Sequence, residues 1–325
     1  MNTKRIDIWE EGEYTYPAAY GFVPNIREYS HEDSGRDCIL VVPGGAYCMV
    51  VPQEGEVVAK EFYDRGFDTF VLTYTTDITT AFPLKKQPLY DIARAVRVIR
   101  EQKKAEHVYI CGFSAGGHVC ATLAVHHDDA DAAETNPKYK DFTSRPDKVI
   151  LSYAVVTCGE YTEPFSKLCL LGPEPTEEEV AYFSAETQVN ENTPPCFVWA
   201  TQTDGLVPVQ NTTQFAEALR AAKIPCEEHI FSHGNHGMCL ANQNFFDGNH
   251  GEPYTFEQVN LAVAAVKEGR SINVSDRRIE ELKAQFDDSK PQPVYPRVDA
   301  SIFKDIATWV DLAELFLKRP EGLPF

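Results

Sequence analysis

The sequence runs to 325 residues, 43% hydrophobic and 24% charged, a balance that excludes wholesale disorder and leaves enough apolar material for a many-stranded core. Its formal net charge of −19 argues against a nucleic-acid partner, because phosphate binding needs a basic face. No apolar run reaches the roughly 18 to 20 residues that cross a bilayer, and the first eight residues lack the apolar stretch of a signal peptide, so the expectation is a soluble, cytoplasmic chain with no membrane partner.

In chain order, Met1 to about Arg36 offers edge-strand candidates. Cys38–Val42 reads as a strand and runs into the turn Pro43-Gly44-Gly45. Val57–Tyr63 reads as a helix ended by Gly66, and Phe70–Tyr74 as a strand. Pro88–Arg100 carries Leu89, Ile92, Ala93, Val96 and Ile99 at helical spacing. Val108–Cys111 is a strand and Ala115–Val125 a small-residue helix, followed by strands at Val149–Val155 and Phe197–Ala200. Pro208 suits the opening turn of a helix running to Ala222, and Glu227–Phe231 closes the series.

This alternation predicts an α/β fold, a mostly parallel central sheet with helices on both faces. No repeat or low-complexity linker divides it, so one domain over residues 1–325 is expected. The polar stretch 243–300, interrupted by Pro253, Pro291, Pro293 and Pro296, holds helical candidates at Phe256–Lys267 and Asp276–Phe286. It reads as an insertion before a final helix, Ile302–Lys318; a cap over the site, a homo-oligomer contact and a decorative excursion all stay open. The nine cysteines show no CxxC spacing, and those in apolar runs (Cys38, Cys111, Cys120, Cys196) read as small buried hydrophobes of a reducing compartment.

Ligands in such sheets bind beyond the carboxyl ends of the strands. There the chain carries Gly112-Phe113-Ser114-Ala115-Gly116, a Gly-x-Ser-x-Gly pentapeptide between a strand and a helix. A sharp strand-to-helix turn exposes the serine hydroxyl, and its neighbours are glycine because side chains there would clash. A serine needs a base. Of nine histidines, His233 and His236 lie in the loop after the last strand, and His236, flanked by Gly237, is favoured. His233 reads instead as a loop histidine bonding nearby backbone. His126 and His127, in an Asp/Ala-rich stretch after the small-residue helix, read as part of a solvated acidic loop rather than a metal site. Asp204 follows the strand Cys196–Thr201 and is the carboxylate expected to orient His236. Gly45 and Ala46, after the first core strand, with Ala115 after the serine, are the candidate oxyanion-hole N–H donors.

These four pieces in this order resemble the α/β-hydrolase superfamily, and within it the acetyl-xylan-esterase-like and lipase/carboxylesterase-like branch. The likeness rests on Phe113-Ser114-Ala115-Gly116-Gly117-His118, Thr203-Asp204-Gly205-Leu206-Val207-Pro208, Gly234-Asn235-His236-Gly237 and the tail Trp309-Val310-Asp311-Leu312-Ala313. The branch usually has three glycines where this chain has Gly44-Gly45-Ala46, and the stretch 243–300 is atypical of it. The resemblance implies hydrolysis of short-chain acyl esters, with acetyl groups on sugars as the expected substrate, through an acyl-enzyme and without metal or organic cofactor. Its partner would be a small-molecule or oligosaccharide ester. A peptidase or amidase of the same fold, and a catalytically silent binding protein, are the alternatives.

Overall fold

The computed structural model describes residues 1–33, 35–287, 289 and 297–320. Eight strands form one sheet: β1 (Asn2–Asp7), β2 (Asn25–Ser30), β3 (Cys38–Val42), β4 (Asp68–Thr73), β5 (Val108–Phe113), β6 (Val149–Ser152), β7 (Cys196–Thr201) and β8 (Cys226–Phe231). Their spatial order is β1-β2-β4-β3-β5-β6-β7-β8. β1 and β2 are antiparallel, as are β2 and β4, and every other pairing is parallel. The first 36 residues thus supply two strands, and β2 is covered on its outer side by β1.

Alternation along the central strands divides the core in two. Leu40, Val42 and Ile110 face one layer, with α2 (Gln87–Lys103), α3 (Ser114–Ala133) and α6 (Gln210–Ala221) packed over them. Ile39, Val41, Cys111 and Phe113 face the other, covered by α1 (Glu56–Asp64) and α11 (Trp309–Lys318). Strands buried on both faces explain the near-continuous apolar runs. All nine cysteines are free thiols, eight of them buried.

Four sequence expectations need adjusting. β6 stops at Ser152 because Tyr153 turns to φ +37°, outside extended geometry. The helix after Ser114 continues past a kink at His126 (φ −125°, ψ 22°), so His126 and His127 lie in α3 and not in a loop beyond it. The final helix is broken into a 3-10 turn Ala300–Phe303, α10 (Lys304–Ala307) and α11, with the Thr308 hydroxyl donating to the Asp305 carbonyl at the break. Finally, α4 (Pro164–Leu171) and α5 (Glu177–Tyr182) fill a stretch where no element was read.

In the 243–300 stretch, α7 (Gln243–Phe246), α8 (Glu257–Lys267) and α9 (Asp276–Gln285) are present. α8 and α9 bury Val259, Val263, Val266 and Leu282 around Ile78, in the loop after β4. Pro291, Pro293 and Pro296 lie outside the described residues. Among the described residues, no helix is long and apolar enough to cross a membrane.

Candidate active site

β3 and β5 are direct parallel neighbours, with Val42 opposite Gly112. The loops leaving their carboxyl ends therefore emerge side by side, which brings Pro43-Gly44-Gly45-Ala46 against Ser114. Ser114 opens α3 at φ +50°, directly after the extended Phe113. A non-glycine residue held there stores roughly 1–3 kcal/mol of backbone strain. The glycines make the turn feasible by close approach: a Cβ on Gly116 would lie 2.2 Å from the Val42 carbonyl oxygen and 2.3 Å from that of Pro43.

Oγ of Ser114 lies 2.8 Å from Nε2 of His236, and Nδ1 of His236 lies 2.7 Å from Oδ2 of Asp204. Asp204 is placed by the end of β7, and its second oxygen accepts the N–H groups of Leu206 (2.8 Å) and Val207 (2.9 Å). The carboxylate is 1% exposed and fully engaged. With Nδ1–H donating to Asp204, Nε2 is free to accept the serine proton. His236 sits on a loop tied down at both ends. The Gly234 carbonyl accepts the hydroxyls of Thr201 (3.0 Å) and Thr203 (2.8 Å), and the Cys239 carbonyl accepts the Trp309 indole N–H at 2.7 Å. His233 points elsewhere, bonding the Ile302 carbonyl at 3.0 Å and stacking on Phe303.

The loop after β3 is held in left-handed geometry at Gly45 (φ +126°), Ala46 (φ +52°) and Tyr47 (φ +60°). Its Pro43 carbonyl accepts the Tyr74 hydroxyl at 2.9 Å, and Tyr47 donates to His118 on α3. Among the described residues the N–H groups of Gly45 and Ala46 have no internal partner. Ala115 lies in the first turn of α3, where N–H groups have none within the helix. The Gly44 N–H is already taken, donating to Oε2 of Glu54 at 2.8 Å.

Glu54, on the turn before α1, was not legible as a site residue. It is buried, lines the cavity over Ser114, and its other oxygen accepts the Tyr153 hydroxyl at 2.7 Å. Burial pushes its carboxyl above the usual range, against the opposing pull of the Tyr153 and Gly44 hydrogen bonds and of nearby His236. The Tyr153 ring stands edge-on to the His236 imidazole, 5.0 Å between centroids. The cavity, about 410 Å3, is walled by Ser114, His236, Gly45, Ala46, Met49 and Phe245, the last from α7.

A family model described as BD-FAE matches residues 26–219, a span from β2 to near the end of α6 that includes Ser114, Asp204 and the loop after β3. The chain belongs to the BD-FAE family. This BD-FAE member has the α/β-hydrolase fold and superposes on an acetyl ester-xyloside bifunctional hydrolase from Caldicellulosiruptor lactoaceticus with a TM-score of 0.68 at 31% identity, covering 82% of this chain and 97% of that one. The carboxylesterase Cest-2923 from Lactobacillus plantarum shares the fold at TM-score 0.60 and 20% identity, over 85% of this chain and 99% of the other. In sequence, the chain is 53% identical over 268 residues, 81% of its length, to endo-1,4-beta-xylanase B of Butyrivibrio fibrisolvens, and spans 42% of that relative.

Among the described residues of this BD-FAE member, no group of His, Cys, Asp or Glu is arranged to hold a metal ion. His126 stacks on Tyr182 and bonds its carbonyl at 2.8 Å, and His127 bonds the Ala124 carbonyl. His118 lies fully buried between Tyr47 and the Phe183 carbonyl, and burial lowers its pKa to about 4.

Proposed function

We propose that the chain is a serine esterase that removes short acyl groups, acetyl above all, from carbohydrate esters through a covalent enzyme intermediate on Ser114. The observation that carries this reading is the continuous chain from Ser114 Oγ to His236 to Asp204, at 2.8 and 2.7 Å, opening on a largely apolar cavity.

In this reading Oγ attacks the acyl carbon as its proton passes to Nε2 of His236, and Asp204 stabilises the imidazolium. The oxygen of the tetrahedral intermediate meets the N–H groups of Gly45, Ala46 and Ala115, each worth about 3 kcal/mol of transition-state stabilisation. His236 then returns the proton to the departing alcohol. Water, deprotonated by the same imidazole, attacks the acyl carbon; the bond to Ser114 Oγ breaks, Oγ recovers the proton from His236, and the acid leaves. A sugar as the alcohol draws support from the xylanase and acetyl ester-xyloside hydrolase relatives.

The peptidase reading gains no support from the cavity wall. An aminopeptidase site needs free carboxylates for the substrate ammonium, and both glutamates lining the cavity are occupied. Glu54 accepts from Gly44 and Tyr153, while Glu163 accepts the N–H groups of Phe165 (3.1 Å) and Ser166 (2.7 Å) and the Ser166 hydroxyl.

Intact-mass analysis with a fluorophosphonate, beside turnover of acetylated xylosides and longer acyl esters, tests this. One adduct, lost in Ser114→Ala, together with acetyl-sugar turnover is expected. An adduct without that turnover would discard the carbohydrate substrate, and no adduct would discard the nucleophile.

A further inference from the structure

We infer that Glu54 is a positioning residue for this reaction: its ionised carboxylate fixes the oxyanion loop through the Gly44 N–H and holds Tyr153 against His236, supplying a second negative charge to the histidine when it carries the proton. The inference rests on the reading of Ser114 as nucleophile.

The geometry argues for a carboxylate and not a carboxylic acid. Oε2 accepts the Gly44 N–H at 2.8 Å and Oε1 accepts the Tyr153 hydroxyl at 2.7 Å. The Tyr153 hydroxyl donates to Glu54 and its oxygen accepts the Cys239 N–H at 3.3 Å. Both carboxylate oxygens act as acceptors, an arrangement that an ionised carboxylate satisfies without a proton of its own.

That charge is unusually placed. Among the described residues no lysine or arginine pairs with Glu54. The groups facing it are Tyr153 from the end of β6, His236 from the loop after β8, Tyr74 from the end of β4, Cys111 from β5 and Cys239 from the segment leading to α7. His236 alone among them becomes cationic. A buried carboxylate without a fixed counter-ion is costly, and here the counter-charge arises when His236 accepts the serine proton. Electrostatic effects that strengthen as the reaction proceeds raise kcat and leave KM.

Its position also controls the donors. A Cβ on Gly44 would lie 2.7 Å from the Ser114 Cβ and 3.0 Å from Oε2 of Glu54. Gly44 is therefore wedged between the nucleophile and the carboxylate, and the free N–H groups of Gly45 and Ala46 follow directly in the chain. A shift of Gly44 displaces both donors from the oxyanion.

The test is the rate of Ser114 phosphonylation by a fluorophosphonate, followed from about pH 4 to 8, together with steady-state ester turnover, in wild type and Glu54→Gln. Glutamine keeps the shape and one acceptor but removes the charge. The expected result is a rate at least about tenfold lower in Glu54→Gln, expressed in kcat with KM within about twofold. The acid limb should also change. Glu54 titrates above the ordinary carboxyl range, so wild type loses its charge, and rate, as pH falls through that raised value. Glu54→Gln loses this second proton, and its acid limb becomes shallower.

Should Glu54→Gln fail to fold, Tyr153→Phe reads the same device. It keeps the ring over His236 but withdraws the hydroxyl that stabilises the charged form, so its acid limb should move to higher pH. Rates within twofold of wild type and an unchanged pH profile would overturn the positioning role. A wild-type chain that neither labels nor turns over esters would overturn the nucleophile reading, and this inference with it.

Discussion

Tyr47 donates its hydroxyl hydrogen to Nδ1 of His118 across 2.7 Å, and Nε2 of the same ring donates to the Phe183 carbonyl at 2.7 Å. One neutral imidazole thereby joins the loop after β3, the helix behind Ser114 and the end of α5.

This joint titrates in a defined direction. His118 is lowered from 6.5 to about 4 by burial, so between those values the unfolded chain binds the proton and the folded chain does not. Stability is flat above about pH 6.5 from this group and falls with acidification, by about 3 kcal/mol on reaching pH 4. Urea denaturation at a series of pH values reads the slope. His118→Gln should be less stable at neutral pH and show a flatter pH dependence; an unchanged slope would remove His118 as its source.

Ser114→Ala should lower kcat by roughly five to six orders of magnitude while the melting temperature stays within a few degrees. Alanine inherits the φ +50° backbone, so the strain remains and only the nucleophile is lost. Retained turnover would place the attacking group elsewhere.

For Asp204→Asn the expected fall is about ten-thousand-fold in kcat. Oδ1 can still accept from Leu206 and Val207, so the loop holds its shape. The amide donates where Nδ1–H must donate, and His236 is driven to the wrong tautomer. Kinetics near wild type would exclude Asp204 as the orienting group.

Gly116→Ala sets two effects against each other. Alanine is better than glycine within a helix by about 1 kcal/mol. Its methyl, however, would fall 2.2 Å from a backbone oxygen of β3's last residue, and backbone cannot yield cheaply. Overpacking of this kind costs about 1–3 kcal/mol or more, so a net loss of stability and slower labelling of Ser114 are expected in melting and fluorophosphonate assays.

Phe245→Ala opens one wall of the cavity. KM for small acetyl esters should rise several-fold with kcat within about twofold, and longer acyl esters should gain relative to acetyl. An unchanged ratio between acetyl and longer esters would mean that α7 plays no part in selection.

Much of this arrangement was legible in the sequence because it rests on local signals. Apolar runs marked the strands, and Gly112-Phe113-Ser114-Ala115-Gly116 carried the steric demand of its turn in its own letters. Ser114, Asp204 and His236, which the structure brings together, could be singled out because each lies in the loop or turn just past a strand's carboxyl end. Glu54 carried no such mark: a glutamate next to Gln53 and Gly55 reads as surface, and its partners are Gly44, across a turn, and Tyr153, 99 residues on. α5 was different, since Thr176 and Glu179 form a capping box whose spacing is visible in the sequence. The break between α10 and α11 arises from a hydroxyl competing for a backbone carbonyl, which periodicity does not register.

The indole of Trp309 holds the Cys239 carbonyl, 70 residues earlier in the chain, and its ring lies 5.3 Å from Trp199 beneath the sheet's far face. Translation is vectorial, so a nascent chain presents the segment bearing His236 well before the helix that clamps it has left the ribosome. Thr201, Thr203 and Asp204, which hold the Gly234 side of that loop and the His236 ring, are already made at that point, whereas the hold on the Cys239 side waits for Trp309. The loop carrying His236 is therefore braced by a residue made later than every strand of the sheet, and a chain cut short before α11 lacks the indole that holds the Cys239 carbonyl.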